Sequence, residues 1–126
     1  MNIVDSSAWL EYFTEGVNAS YFAPVIEDTG NLIVPVITVY EVFKRILLVP
    51  GLDVAELRIA DLFKGQQVDL VASLALSAAQ FSVEYKLPMA DSLILATARN
   101  YDATLWTQDE HFKDVPGVKF IAKKRT

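Results

Sequence analysis

The stretch Leu87-Pro88-Met89-Ala90-Asp91-Ser92-Leu93-Ile94-Leu95-Ala96-Thr97-Ala98-Arg99 constrains this chain more than any other. Pro88 has no backbone N–H to donate, which suits the first turn of a helix and not its interior. Good helix formers follow, without a charge between Asp91 and Arg99. An exposed helix would alternate apolar and polar residues at the helical period, so this one is expected to be buried. Asp91 falls in its first turn, where unpaired N–H groups and the helix dipole favour a carboxylate. Such a carboxylate is either a structural cap or part of a site, and the rest of the chain decides which.

Ahead of it, Ile3-Val4 reads as a short strand that ends at Asp5-Ser6-Ser7, all good N-cap residues. Ala8, Trp9, Leu10, Tyr12 and Phe13 then predict a helix, and a second is expected from Asn18 to about Asp28. Leu32-Ile33-Val34 is a buried strand stopped by Pro35. From Thr38, the spacing of Val39, Tyr40, Phe43, Ile46 and Leu47 predicts a helix with Glu41 near its start. Asp53 is expected to cap the next helix; Val68, Leu70 and Val71 read as another strand, and Ser73 precedes a further helix. Thr104-Leu105-Trp106-Thr107 and Val118-Lys119-Phe120-Ile121 complete the strands, with Pro116-Gly117 as a turn between them. Strands interleaved with helices predict an α/β fold, a mainly parallel sheet of about four to five strands with helices on both faces.

The 126 residues suit one domain over 1–126, with a basic, frayed tail at 123–126. The chain has no cysteine and a single histidine, His111, which excludes disulfides and the usual zinc sites. Any metal is expected to be a hard ion held by oxygen. Neither a signal peptide nor a membrane span is legible, which predicts a cytoplasmic protein. The formal net charge of -5 poses a problem for nucleic-acid binding, which favours basic surfaces, unless the acids gather where cations neutralise them.

The element order makes that gathering possible. Ligands of an open parallel sheet bind beyond the C-terminal strand ends, where strand order reverses. Asp5 and Asp109 follow strands there, while Glu41 and Asp91 stand early in helices that lead from or into them. Carboxylates brought so close repel each other and take up protons unless cations are present. Mg²⁺ or Mn²⁺ is the fitting neutraliser, and either can activate water against a phosphodiester without a histidine or cysteine nucleophile.

Val4-Asp5-Ser6-Ser7, Thr38-Val39-Tyr40-Glu41-Val42, Leu87 to Ala98 and Leu105-Trp106-Thr107-Gln108-Asp109-Glu110-His111-Phe112 resemble the motifs of PIN-domain ribonucleases, in the family's order. Within that family the chain is similar to the VapC-type toxins of toxin–antitoxin pairs. The resemblance implies a PIN-like three-layer sandwich, a Mg²⁺- or Mn²⁺-dependent endoribonuclease and a homodimer. It implies Asp5, Glu41, Asp91 and Asp109 as catalytic, metal-binding acids, with Asp5 and Asp91 as direct ligands. Ser6 and Thr107 match positions that support the site through hydroxyl hydrogen bonds. It also implies an RNA substrate and a cognate antitoxin whose basic inhibitory segment enters the acid cluster.

The rival readings are weaker. A phosphatase of the haloacid-dehalogenase kind needs a second aspartate two residues after the first, and Ser7 stands there. A catalytically silent PIN-like RNA- or protein-binding module has no need of four acids together. His111 reads as a surface residue beside Asp109. Trp9, Tyr12, Phe13, Tyr40 and Phe43 read as core or dimer contacts, and Lys44-Arg45 and Lys123-Lys124-Arg125 as solvated charge.

Overall fold

Period-two alternation along three short strands determines the layering of the structure, a computed structural model that describes residues 1–124. Ile3 of β1 (Asn2–Val4), Ile33 of β2 (Leu32–Pro35) and Leu105 of β4 (Thr104–Thr107) point to one core. Their neighbours Val4, Leu32, Val34 and Trp106 point to the other. Each face therefore needs its own cover of helices. α1 (Ser6–Phe13), α2 (Ala19–Glu27), α3 (Val36–Leu48) and α4 (Leu52–Leu62) supply buried residues to the second core. α5 (Ala72–Tyr85) and α6 (Met89–Asn100) cover the first. With β3 (Gln66–Val68) and β5 (Val118–Phe120) at the edges, the sheet runs β3-β2-β1-β4-β5, and every pair is parallel. The α/β expectation of a parallel sheet between two helical layers holds.

The chain begins at the central strand, builds β2 and β3 to one side, then returns to build β4 and β5 on the other. Strand order reverses between β1 and β4, which pair directly from Asn2 with Thr104 to Val4 with Trp106. That reversal opens a crevice at the C-terminal ends of these two strands.

α6 is buried from Asp91 to Ala98, as its composition predicts. Ser92 and Thr97 are satisfied within the helix. Ser92 Oγ donates to the Met89 carbonyl at 2.7 Å, and Thr97 Oγ1 to the Leu93 carbonyl at 2.8 Å. Arg99 emerges at the last turn, where its guanidinium donates to the Pro116 carbonyl at 2.7 Å and lies over the Phe81 ring.

Several boundaries differ from expectation. β3 is Gln66–Val68, whereas Leu70 and Val71 lie beyond it, 48% and 52% exposed. An edge strand needs few apolar residues, and here only Val68 is buried. α3 starts at Val36, two residues before Thr38, so Glu41 sits in its second turn. Gly51, with φ 133, takes the N-cap position expected of Asp53, which falls inside the first turn of α4. Pro88 is the N-cap of α6 and its first helical residue is Met89. Trp9 is buried and packs on Phe13 at 5.6 Å, whereas Tyr40 faces out, contrary to a core role. Lys123 and Lys124 extend past β5 without regular structure, and Arg125 and Thr126 of the expected tail lie outside the described residues. Among the described residues, no helix is long and apolar enough to cross a membrane.

The packing of α6 makes a direct prediction. Ile94 is fully buried in the first core and Leu76 on α5 is 69% exposed. Ile94→Ala is expected to cost about 2–5 kcal/mol and Leu76→Ala less than about 0.5 kcal/mol, read as shifts in urea midpoint.

Candidate active site and metal centre

β1 ends at the strand-order reversal, and its next residue, Asp5, is the N-cap of α1. The Asp5 carboxylate is 2% exposed and accepts hydrogen bonds on both oxygens. Oδ1 receives the Ala8 N–H at 3.1 Å and the Ser7 hydroxyl at 2.9 Å. Oδ2 receives the Thr107 hydroxyl at 2.7 Å. Asp5 therefore is a helix cap, and capping occupies only part of its lone pairs. Burial pushes its pKa up to about 7, against the lowering effect of the Thr107, Ser7 and Ala8 donors, and the charge of Asp109 adds to the rise.

Thr107 ends β4 and joins two of the predicted acids. Its hydroxyl donates to Asp5 and accepts the Asp109 N–H at 2.9 Å. Asp109 then caps a single helical turn (Glu110–Phe112), accepting the His111 N–H at 2.9 Å. Across the crevice Asp91 enters from the first turn of α6. Burial raises its pKa to about 6, helped by the charges of Asp109 and Glu41 and opposed by His111. Glu41 is partly buried on α3 and accepts a hydrogen bond from the Ser6 hydroxyl.

The four predicted acids thus reach one electrostatic neighbourhood from four elements. Asp109 acts on Asp5 and on Asp91, and Glu41 acts on Asp91. The tightest grouping among the described residues is different in membership: ligand atoms of Asp91, Asp109 and His111 lie within 4.8 Å of one another, and Asp5 and Glu41 are not in that group.

His111 departs from the expectation of a plain surface residue. Its ring is 55% exposed, yet Nδ1 stands 2.9 Å from Asp91 Oδ2 and 2.9 Å from Asp109 Oδ1. Burial lowers the imidazole pKa, but Asp109 and Asp91 outweigh it and the net shift is upward. A positively polarised N–H between two carboxylates meets the demand that a cation would meet there. The sequence signal was local: the turn capped by Asp109 folds residue 111 back over its own cap.

Ser7, Gln108 and Asn18 also belong to this region. Asn18 and Gln108 are both buried, and Asn18 Nδ2 donates to Gln108 Oε1 at 3.0 Å and to the Ala122 carbonyl at 3.1 Å. Gln108 Nε2 reaches back to the Ser7 carbonyl at 3.4 Å. Partners separated by about 90 or 100 positions, as here, leave no local pattern in a sequence.

The donor set fits a hard divalent ion. Carboxylate oxygens from separate elements face one another, the hydroxyl and N–H groups around them orient rather than neutralise them, and no thiol competes.

A family model described as PIN domain matches residues 3–118. In fold, the chain is similar to a chain of a toxin–antitoxin complex from Klebsiella pneumoniae, with a TM-score of 0.77, 20% identity and coverage of 94% of this chain and 95% of that one. It is also similar to VapC20 of Mycobacterium tuberculosis, a sarcin-ricin loop cleaving toxin, with a TM-score of 0.78, 15% identity and coverage of 94% and 98%. VapBC2 from Rickettsia felis, bound to a DNA fragment from its promoter, gives a TM-score of 0.74 at 13% identity, covering 98% of each chain. No curated protein matches the chain in sequence.

Burial of Asp5 predicts a pH dependence. Unfolded, Asp5 ionises near 3.8; folded, it holds its proton up to about 7. The unfolded chain therefore binds fewer protons across that window, and stability measured in EDTA falls as pH rises through it. Asp5→Asn removes the effect. In urea unfolding above pH 7 it is expected to exceed wild type by about 4 kcal/mol, with the gap closing as the pH falls. A gap that did not change with pH would refute this account of Asp5.

Proposed function

The chain belongs to the PIN-domain family, and from that premise we propose that it is a divalent-metal-dependent endoribonuclease, the toxin of a VapC-type toxin–antitoxin pair. The observation that carries the reading is the close approach of Asp91 and Asp109, with the charge of Asp109 acting on Asp5 and that of Glu41 on Asp91. A scaffold that only bound a partner would gain nothing from burying Asp5 and Asp91, each also facing the charge of Asp109.

Asp5, Asp91 and Asp109 would hold Mg²⁺ or Mn²⁺, with Glu41 at the edge of the set. Bound there, the ion supplies charge neutralisation and Lewis-acid polarisation for attack of water on the scissile phosphate. The chain's own side chains do the positioning. Thr107 and Ser7 fix both oxygens of Asp5. Ser6 fixes Glu41 of α3. His111 bridges Asp91 and Asp109 and would turn away, through its exposed side, when a metal takes over their charge. None of these residues is an obligatory general base.

The same field suggests how the enzyme is kept silent. An antitoxin whose Arg or Lys enters the cluster gains charge-assisted hydrogen bonds with carboxylates that otherwise repel one another. We further assign the protein to the cytoplasm, acting on RNA, as a homodimer. Leu76 and Val83, seven residues apart on α5, leave one stripe of that helix apolar and exposed, which suits a second copy.

These roles set the expected activities. Wild type is expected to cut mixed-sequence single-stranded RNA with Mn²⁺ or Mg²⁺ and not with EDTA. Asp91→Asn, which keeps the shape and removes the charge, should lose more than about a hundredfold, while Thr107→Val should lose about 10–100-fold through disordered Asp5. Equal cutting by wild type and Asp91→Asn would remove Asp91 from the site. RNA binding without metal-dependent cutting would favour the silent module.

A further inference from the structure

A cavity of about 530 Å³ lies not over the acids but beside them, between α1, α3 and α4. Resting on the ribonuclease reading, we propose that it is a nucleotide-binding pocket, which receives the RNA residue next to the scissile phosphate. Three features support that occupant.

The first is continuity. Ser7 and Gln108 line the cavity, and Ser7 also donates to Asp5 while Gln108 adjoins Asp109. An RNA chain with one phosphate at the acids has to set its next residue on an adjacent surface, and this cavity is adjacent.

The second is chemistry. Leu10, Phe13, Ile46 and Val54 give the cavity an apolar lining, and Arg45, Arg58 and Lys123 bring cations to it. A base needs an apolar surface to stack on, and its phosphates need cations. In a chain of net charge -5, three cations around one concavity form a local reversal of sign. Among the described residues none of the three is ion-paired; Arg58 instead lies over the Phe13 ring, 5.6 Å from its centroid. Glu11, the acid in the lining, is engaged elsewhere and accepts the Asn18 N–H at 2.9 Å. The volume falls within the about 300–1,000 Å³ usual for ligand pockets.

The third is that the cavity is built rather than incidental. Buried Asn18 ties Gln108 to the Ala122 carbonyl, which fixes the chain just before Lys123. Gln108 in turn donates to the Ser7 carbonyl in the first turn of α1.

The test uses the full chain carrying Asp91→Asn, so that RNA is bound and not cut. Affinity for a short fluorescein-labelled single-stranded RNA of mixed sequence is measured by anisotropy across a salt series. Adding Arg58→Gln with Lys123→Gln is expected to weaken binding about tenfold and to lower the slope of log K against log salt by about 0.7 for each phosphate no longer neutralised. Lys119→Gln on the exposed side of β5 leaves both readouts unchanged. An RNA with an abasic residue beside the bound phosphate should bind about tenfold more weakly than intact RNA to the Asp91→Asn protein, because it has no base to stack. Unchanged affinity and slope in the Arg58 and Lys123 variant overturn the pocket and leave the ribonuclease reading standing. If the Asp91→Asn protein binds no RNA, the ribonuclease reading falls and takes this inference with it. If the Arg58 and Lys123 variant keeps its RNA affinity but no longer binds a helical peptide rich in Glu and Leu, the groove docks protein and the RNA assignment is overturned.

Discussion

Everything at the crevice depends on a conflict around Asp5. Its position after the central strand removes it from water, and burial disfavours its charge. The fold answers with donors on both oxygens: the first turn of α1 supplies a backbone N–H, and Ser7 and Thr107 supply hydroxyls. Those donors do not win, since the pKa still rises to about 7. The balance is useful. A carboxylate fully satisfied by protein donors would have little left for a cation, whereas one with no donors would be protonated and misaligned. Asp5 lies between these limits, oriented by neutral groups and short of positive charge.

Thr107 extends this logic across the sheet. One hydroxyl donates to Asp5 and accepts from the backbone of Asp109, so the ends of β1 and β4 hold one another's acids. Parallel pairing from Asn2–Thr104 to Val4–Trp106 sets the height of both strand ends, and a slip of one residue would turn Thr107 away from Asp5. Precision at the site is therefore inherited from strand register, which the alternation of Ile3 and Val4 between two cores enforces.

What the sequence disclosed and what it hid separate along one physical line. Features written in neighbouring residues were legible: the buried α6, the acids at element ends, the interleaving of strands and helices. β3 was misplaced because an edge strand buries a single residue, so Gln66 and Gln67 carry no apolar signal while exposed Leu70 and Val71 carry a false one. Tyr40 looked like core because its spacing on α3 fits the apolar stripe, yet it stands at the stripe's edge and faces out. His111 reads as a surface residue because only its contact with Asp109 is local, whereas Asp91 lies twenty positions earlier. Asn18 escaped notice because a buried amide makes sense only beside Gln108 and Ala122, and nothing local announces either.

The charge of the chain then acquires a spatial meaning. A net charge of -5 opposes a polyanion only if it is spread evenly, because exposed charges more than about 8–10 Å apart are largely screened at physiological salt. Here negative charge is concentrated where carboxylates oppose one another across the crevice, and Arg45, Arg58 and Lys123 gather on its flank. A backbone crossing from one region to the other would meet cations held by the protein on one side and acids that need a cation on the other. Net charge alone argues against such a substrate; the arrangement of the charges argues for it. The element that couples the two regions is Gln108, which adjoins Asp109, donates to the Ser7 carbonyl and is held by Asn18. Because a single buried amide pair spans both, a shift in the flank is transmitted to the loop that carries Asp109.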